Sequence, residues 1–210
     1  MPDRVNAPRK SRRLAPSERR QSLIEAALDC LSRLGPHGAG VREICARAGV
    51  SPGLLRHYFD GKNELIIEAY RALTREYQGN LHRVLTGPAE SAEQRLRSFF
   101  DAYFSSRFAG DEQAGTYAAF WTLGRTDLKI QRIQRSAYRR LRKSLAPVLS
   151  ELAEDRGARI DAEQVASSLI ALLDGYWLDM CIDPIQFSRA KTSAVCWEWL
   201  ETFIRGSRAR

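Results

Sequence analysis

The sequence is poor in the residues that bind metals or carry out redox chemistry. Its 210 residues include three histidines, four cysteines and two methionines. The histidines lack metal-ligand spacing with one another or with a cysteine, and the cysteines form no CxxC pair. Each cysteine lies in an apolar, helix-like stretch, where a small buried hydrophobe is the expected role. The sequence therefore predicts no metal, no cofactor and a reducing, cytoplasmic environment.

Catalytic and membrane signatures are also missing. No G-x-S-x-G motif occurs, and Gly61-Lys62 is not a phosphate-binding loop, because that motif needs glycine at 56 and Ser or Thr at 63. Charges interrupt every apolar run before it reaches the roughly 20 residues that cross a bilayer. No apolar stretch follows the basic N-terminus, as a secretory signal would require. These absences predict neither an enzyme nor a membrane partner.

Strand-type alternation of apolar and polar residues is absent, and apolar residues recur instead at helical spacing. A first helix begins after Ser17, a possible N-cap, and ends at Gly35-Pro36. The remaining predicted helices cover 41–48, 52–59, 62–85, 91–108, 112–123, 126–155, 161–181 and 186–204. The sequence predicts an all-α fold.

The net charge of +8 is concentrated in the first third of the chain. Residues 1–75 hold 14 Lys/Arg and 8 Asp/Glu, whereas residues 76–210 hold 19 and 17. Residues 1–16, with three prolines and five basic side chains, are predicted to form a flexible basic arm. The charge predicts a polyanionic partner for the N-terminal end, and a merely solvated tail is the alternative for the arm alone.

A helix-turn-helix is predicted for residues 41–59, VREICARAGVSPGLLRHYF. Gly49 supplies the left-handed residue that a tight turn between two steeply crossing helices favours. Ser51 can cap the second helix, and Pro52 suits its first turn. The outer side of that helix then offers Gly53, Arg56 and His57 to a major groove, and an ordinary αα-hairpin is the alternative.

These residues resemble the DNA-binding domain of TetR-family regulators. The resemblance covers residues 17–75 and rests on the first helix, the AGVS motif, His57-Tyr58-Phe59 and Lys62-Asn63-Glu64-Leu65. It implies all-α homodimers with a three-helix head and a larger ligand-binding and dimerisation domain. The residues that it places at DNA are Val41, Arg42, Ser51, Pro52, Gly53, Arg56, His57, Tyr58 and Lys62, the last two on phosphates. Gly40 departs from the family pattern because it removes a side-chain cap from the second helix.

The resemblance implies a helix-turn-helix domain at 17–62, a connecting helix at 62–85, a ligand-binding and dimerisation domain at 63–205 and a tail at 206–210. The His-Tyr-Phe order followed by Lys-Asn is similar to the BetI-type branch, repressors of choline-to-betaine genes. Residues 119–121 and 172–178 support the same branch.

The last two predicted helices are apolar on more than one stripe. Val165, Leu169 and Leu172 follow one stripe, while Ala166, Ile170 and Leu173 follow its neighbour. Two stripes imply burial against the core and against a second partner. A four-helix homodimer interface would supply that partner, and an internal helix of a monomer is the alternative.

A ligand pocket is predicted from aromatic residues near an isolated carboxylate. The candidate residues are Tyr117, Phe120, Trp121, Asp174, Tyr176 and Trp177. No Lys or Arg occurs between Ile160 and Ser188, so this region suits a cationic onium ligand. Alternatively, the aromatic residues are core and Asp174 forms an ion pair with one of the bases at 125–143.

Together these features predict a repressor that binds double-stranded DNA at a palindromic operator. A small-molecule inducer, with a quaternary ammonium such as choline as the candidate, would release it. Two alternatives remain open at this stage: a TetR-like repressor of an efflux or lipid gene that senses a bulky hydrophobic compound, and a ligand-independent DNA-binding protein.

Overall fold

The computed structural model describes residues 15–88, 91–105, 111–183 and 185–207. Within these ranges the chain forms nine helices and no strand, which confirms the all-α prediction. The helices are α1 (Pro16–Gly38), α2 (Val41–Ala48), α3 (Pro52–Tyr58), α4 (Lys62–Thr86), α5 (Ala92–Tyr103), α6 (Asp111–Gly124), α7 (Leu128–Asp155), α8 (Ala162–Ile182) and α9 (Arg189–Gly206). Most of the predicted arm and the last three residues of the tail lie outside the described residues.

Several helix ends differ from the predictions by one to three residues, among them the start of α9 at Arg189, and the end of α5 differs by five. The N-cap of α1 is Ala15 rather than Ser17, because Pro16 occupies the first turn and the Glu18 carboxylate accepts a hydrogen bond from the Ala15 amide at 2.7 Å. Helix α5 ends at Tyr103, before residue 108, and the end of the predicted range lies outside the described residues. In α1 the helical conformation breaks at Gly35, as predicted.

Helices α1 to α3 and the start of α4 form the head around buried residues such as Leu31, Ile44 and Leu55. Helices α4, α5 and α7 to α9 enclose a second, larger core. The head core also contains Ala119 and Phe120 from α6 and Ile130 from α7. The division of the chain at residues 62–63 therefore stays a prediction, because the two parts share buried side chains.

Large apolar side chains are exposed on α8, on α9 and in the turn between them. They are Leu178, Ile182, Ile185, Val195 and Phe203, with Ile182 72% and Ile185 89% exposed. Helix α8 reaches the length and mean hydropathy, 1.4, of a membrane span, although two aspartates interrupt it. It lies against the core of the larger domain and carries Asp174 and Asp179, so a core helix with one outward apolar face accounts for its composition.

Candidate functional site

The turn between α2 and α3 has the predicted geometry. Gly49 adopts φ +65°, and the Val50 amide donates to the Cys45 carbonyl at 2.9 Å, which closes α2. Ile44 and Leu55 are fully buried on the inner sides of the two helices. The left-handed residue and the apolar wedge together fix the angle at which α3 leaves the head.

Helix α3 presents a short polar face to solvent. The Ser51 hydroxyl accepts from the Leu54 amide at 3.3 Å, and Pro52 occupies the first turn, so both predicted N-terminal roles are present. The small or proline residues at its start and both basic residues at its end are exposed: Ser51, Pro52, Gly53, Arg56 and His57. This arrangement lets the helix backbone approach a groove closely while the two longer side chains reach base edges or phosphates.

The cations around α3 are not equally available. Arg42 and Arg56 are exposed and form no ion pair within the described residues. By contrast, Arg33 and Arg47 both contact the carboxylate of Asp29, each at 2.9 Å. Arg42 and Arg56 are therefore arginines of this surface whose charge no carboxylate of the described residues neutralises. Gly40 precedes α2 without a side-chain cap, as the sequence predicted.

The predicted phosphate-contacting residues have structural contacts as well. Tyr58 is half-buried, and its ring lies edge-on to that of His57 with centroids 5.1 Å apart. The Lys62 ammonium donates to the Pro36 carbonyl at 3.3 Å. Lys62 thus ties the start of α4 to the end of α1. Val41, at the start of α2, is half-buried beside the head core.

A small cavity of about 60 Å³ lies among α4 to α8. We call it the aromatic cavity; its lining is Tyr70, Thr74, Tyr77, Gln78, Tyr103, Tyr117, Trp121, Gln134, Ala137, Tyr138, Leu141, Asp174 and Trp177. Four of the six predicted ligand residues line it, namely Tyr117, Trp121, Asp174 and Trp177. The lining contains one acid and no Lys or Arg.

Phe120 and Tyr176 were predicted at this pocket and lie elsewhere. Phe120 is fully buried on the head side of α6, where its ring stacks on Tyr70 at 4.1 Å between centroids. Tyr176 points away from the cavity towards Phe187, with ring centroids 6.4 Å apart. Both errors have one cause: adjacent residues on a helix point about 100° apart, so neighbours of a pocket residue face other surfaces.

Asp174 is held by two tyrosine hydroxyls. Tyr103 donates to Oδ1 at 2.5 Å and Tyr138 donates to Oδ2 at 2.8 Å. No ion pair reaches Asp174 within the described residues, so the alternative of an ion pair with a base at 125–143 is wrong. Burial raises the pKa of the Asp174 carboxyl, and the two tyrosine hydrogen bonds oppose that shift by stabilising the carboxylate.

Aromatic rings surround the space beside this carboxylate. The ring of Trp177 lies edge-on to those of Tyr117 and Trp121, at 5.5 and 5.4 Å between centroids. Burial, the leading cause, raises the pKa values of Tyr77, Tyr103, Tyr117 and Tyr138, so all four remain neutral. The Tyr117 hydroxyl is buried and has no hydrogen-bond partner within the described residues, which leaves a polar atom for a ligand.

Sequence reasoning missed Tyr77, Tyr103 and Tyr138. They come from α4, α5 and α7, and the sequence shows no spacing that brings them together. The one signal was Tyr77 in the apolar stripe of the long helix, which marks it as inward-facing without revealing the cavity. Among the described residues, no group of three or more His, Cys, Asp or Glu side chains is arranged to hold a metal ion.

Two family models match the chain. The model of bacterial regulatory proteins of the tetR family matches residues 23–69, which contain the helix-turn-helix. The model of the BetI-type transcriptional repressor C-terminal domain matches residues 92–205, which is more than half of the chain. The second match contains every cavity residue from α5 to α8.

Individual proteins agree with the family models. The chain is 32% identical over 190 residues to the HTH-type transcriptional regulator BetI of Vibrio campbellii, with 89% of this chain and 92% of that protein covered. A putative transcriptional regulator from Pseudomonas aeruginosa has a similar structure, with TM-score 0.85, 40% identity, and 94% and 96% of the two chains covered. A putative transcriptional regulator from Saccharomonospora viridis, solved in complex with choline, shares the fold with TM-score 0.78 at 21% identity over 88% and 96% of the chains. The chain belongs to the TetR family of transcriptional regulators and carries the BetI-type repressor C-terminal domain.

Proposed function

We propose that the protein is a homodimeric cytoplasmic repressor that leaves a palindromic operator when a quaternary ammonium compound such as choline binds the aromatic cavity. The observation that carries the proposal is Asp174, a partly buried carboxylate that faces aromatic rings and has no cationic partner within the described residues. A charge in such a place is costly unless a counter-charge accompanies it. A bound cation would supply that counter-charge.

The chemistry of the cavity favours an onium ion over other cations. A quaternary ammonium has no N–H hydrogen to donate. It therefore needs no hydrogen-bond acceptors in the cavity, whereas the N–H groups of an ordinary amine would need several. Its methyl groups would lie against Trp121, Trp177 and the tyrosines, where each ring contributes roughly 0.5–2 kcal/mol of cation–π attraction. The unpaired Tyr117 hydroxyl would suit a ligand hydroxyl such as that of choline.

The size of the cavity separates this proposal from the bulky hydrophobic alternative. Clefts for drug-sized ligands measure roughly 300–1,000 Å³, whereas the aromatic cavity encloses about 60 Å³. A compact cation fits the available space better than a long or multi-ring compound. The choline complex of the Saccharomonospora viridis regulator is consistent with such a ligand in this fold.

The DNA-binding half of the proposal rests on the exposed face of α3 and on Arg42 and Arg56. Two heads about 34 Å apart would match successive major grooves on one face of DNA. The outward apolar face of α8 and α9 is the surface that we assign to the homodimer. A ligand-independent DNA-binding protein would have no use for a buried, cation-free carboxylate.

We further propose that α6 transmits ligand binding to the head together with α4, the connecting helix. Tyr117 and Trp121 of α6 line the cavity, and Phe120 of the same helix turn stacks on Tyr70 of α4 in the head core. A ligand that moves these rings would move α6 against the head. For derepression, the ligand must bind the conformation with unfavourable head spacing more tightly than the DNA-bound one.

The test is operator binding with and without choline, using the palindrome nearest to the gene of this protein, at fixed salt. Choline should release the wild-type protein from the operator. The Asp174→Asn variant, which keeps the shape and removes the charge, should bind the operator normally and need at least about tenfold more choline for release, because it lacks the counter-charge.

The matched control is Asp179→Asn, on the same helix outside the cavity, which should respond to choline like the wild type. Specific binding that choline leaves unchanged would reject the onium ligand and keep the repressor. Absence of specific DNA binding would reject the repressor itself.

A further inference from the structure

A second, wider depression lies between α4 and α7. It encloses about 920 Å³ and we call it the basic groove. The lining is Arg71, Thr74, Arg75, Gln78, Gly79, His82, Lys129, Arg132, Ile133, Ser136, Arg140, Leu141, Lys143 and Ser144. Six of these residues are Lys or Arg, and no Asp or Glu lines the groove.

Most of the positive charge in the groove is not neutralised by the protein. No ion pair joins Arg75, Lys129, Arg132 or Lys143 to a carboxylate anywhere in the described ranges. Arg71 contacts Glu68 at 2.5 Å, and Arg140 donates to the Ser136 hydroxyl at 2.7 Å. Arg71 and Arg75 are four residues apart on α4, and Lys129 and Arg132 are three apart on α7. Like charges three or four residues apart on a helix repel one another, so these pairs lower helix stability unless an anion occupies the groove.

Uncharged donors line the same space. The His82 Nδ1 atom lies 3.0 Å from the Ser144 hydroxyl, and Thr74 and Gln78 reach the groove from α4. Gly79 lies in the same helix, and a Cβ atom there would meet nothing within 4 Å, so the lack of a side chain leaves the space open. Guanidinium, ammonium and hydroxyl groups around an open cleft are the donors that bind phosphate, sulfate and carboxylate oxygens.

The basic groove adjoins the aromatic cavity. Thr74, Gln78 and Leu141 line both, so a molecule in the cavity is next to the cations of the groove. A simple cation such as choline gains nothing from this neighbourhood, and the groove repels it on approach. The carboxylate of the aromatic cavity would attract the cationic end of a zwitterion, and the adjacent unpaired cations of the basic groove would attract its anionic end.

We propose that the basic groove is a second subsite, which binds an oxyanion beside the ammonium group in the aromatic cavity. The inference rests on the proposed function of that cavity. The oxyanion is either part of the inducer, as in phosphocholine, or a free anion that binds together with a simple ammonium compound. The cleft between two helices suits a small anionic group, whereas a DNA duplex needs a broad surface on which its backbone can lie.

The experiment measures the Kd of choline, of choline with added inorganic phosphate, and of phosphocholine by calorimetry. The proteins are the wild type and the Arg75→Gln/Arg132→Gln variant, which removes one free cation from each wall. Phosphocholine should bind the wild type at least about tenfold more tightly than choline alone, and the variant should lose this difference while it keeps its affinity for choline. If phosphate added with choline gives the same gain as phosphocholine and the variant loses it, the subsite takes a free anion.

The Arg83→Gln/Arg139→Gln variant is the matched control, because it removes one cation from each of the same helices outside the groove. It should behave like the wild type. The subsite would be overturned if choline, choline with phosphate and phosphocholine bound with equal affinity to the wild type and to the Arg75→Gln/Arg132→Gln variant. Weaker operator binding by the groove variant alone, without any small molecule, would also overturn it and assign the groove to DNA phosphates.

These outcomes are distinct from failure of the proposed function. A wild-type protein that binds neither choline nor phosphocholine refutes the onium site. In that case phosphate titrated alone into the wild type and the groove variant still decides whether the groove binds oxyanions: loss of binding in the variant supports the subsite, and equal binding overturns it.

Discussion

At the residue scale, Asp174 has competing requirements. Its two tyrosine donors stabilise the carboxylate, whereas burial destabilises it and raises the pKa. A group whose pKa is higher in the folded than in the unfolded state stabilises the fold at low pH, and that contribution is lost as pH rises through the folded pKa. Ionisation of Asp174 above that pKa therefore lowers the stability of the ligand-free protein.

Removing the charge of Asp174 should stabilise the ligand-free protein at neutral pH. We expect Asp174→Asn to have a Tm at pH 7 equal to or above that of the wild type, and the advantage should shrink as pH falls and the wild-type carboxyl takes up its proton. Differential scanning calorimetry at pH 7 and at a series of lower pH values measures this. A variant that melts well below the wild type at pH 7 would mean that the carboxylate stabilises the ligand-free fold.

The sequence predicted the role of a residue correctly where that role depends on residues next to it in the chain. Gly49 and Ser51 act through their own φ angle and the next turn of helix, and both were predicted correctly. Asp174 was predicted from its isolation among apolar residues. Its partners Tyr103 and Tyr138 are 71 and 36 positions away, and no local pattern indicates such contacts.

At the element scale, α6 is fitted closely between the cavity and the head. A Cβ atom at Gly115 would lie 2.4 Å from the Ser32 backbone carbonyl of α1, so only glycine permits this approach of the two helices. Thr116 donates to the Leu28 carbonyl at 3.4 Å one residue further on. The contact between α6 and α1 therefore sets the position of the first head helix.

The Gly115→Ala substitution should push α6 away from α1. We expect a loss of roughly 1–3 kcal/mol of stability, as for other overpacked sites, together with weaker operator binding. Chemical denaturation and operator titration measure the two effects. Gly79→Ala is the control for stability, because its Cβ meets open space in the interior of α4 and should stabilise that helix. Equal stability changes in the two variants would contradict the close fit.

Helix boundaries were predictable where the sequence carries stop signals. The Gly49 turn separates α2 from α3 at the predicted position, and α7 and α8 begin within two residues of their predicted starts, after the Asp127 and Asp161 caps. The predicted start of α1 was wrong because the Glu18 side chain accepts a hydrogen bond from the backbone amide of Ala15. The side chain of Ala15 itself has no polar group that would mark it as an N-cap in the sequence. The joint packing of α6 with α1 depends on contacts between distant segments and was not predicted.

At the scale of the whole molecule, the apolar face of α8 and α9 needs a partner. The rings of Trp199 and Phe203, both on α9, stack on each other with centroids 5.7 Å apart, and Val195 lies one turn before Trp199. The two apolar stripes in the sequence predicted a second buried face. The basic groove was not predicted, although its bases on α7 were visible, because the opposing wall comes from α4.

The Phe203→Glu substitution should disrupt the homodimer that we propose. A charge buried in an apolar interface is costly, so the variant should be a folded monomer with operator affinity reduced at least about a hundredfold. Light scattering after size-exclusion chromatography gives the mass, and circular dichroism checks folding. Leu128→Glu, at an exposed leucine that begins α7, is the control and should stay dimeric. A dimeric Phe203→Glu protein would assign the interface to another face.

The head core described above includes Ala119, Phe120 and Ile130 from the larger domain. Cutting the chain after the helix-turn-helix would expose the apolar surfaces that these three residues cover, so the head is not a self-sufficient module. A chimaera that grafts this head onto another sensor would need a matching α6 surface as well as a compatible α4. New combinations of operator and inducer within this fold are therefore restricted by the packing of the head against the larger domain, in addition to the sequence of α3 and the lining of the cavity.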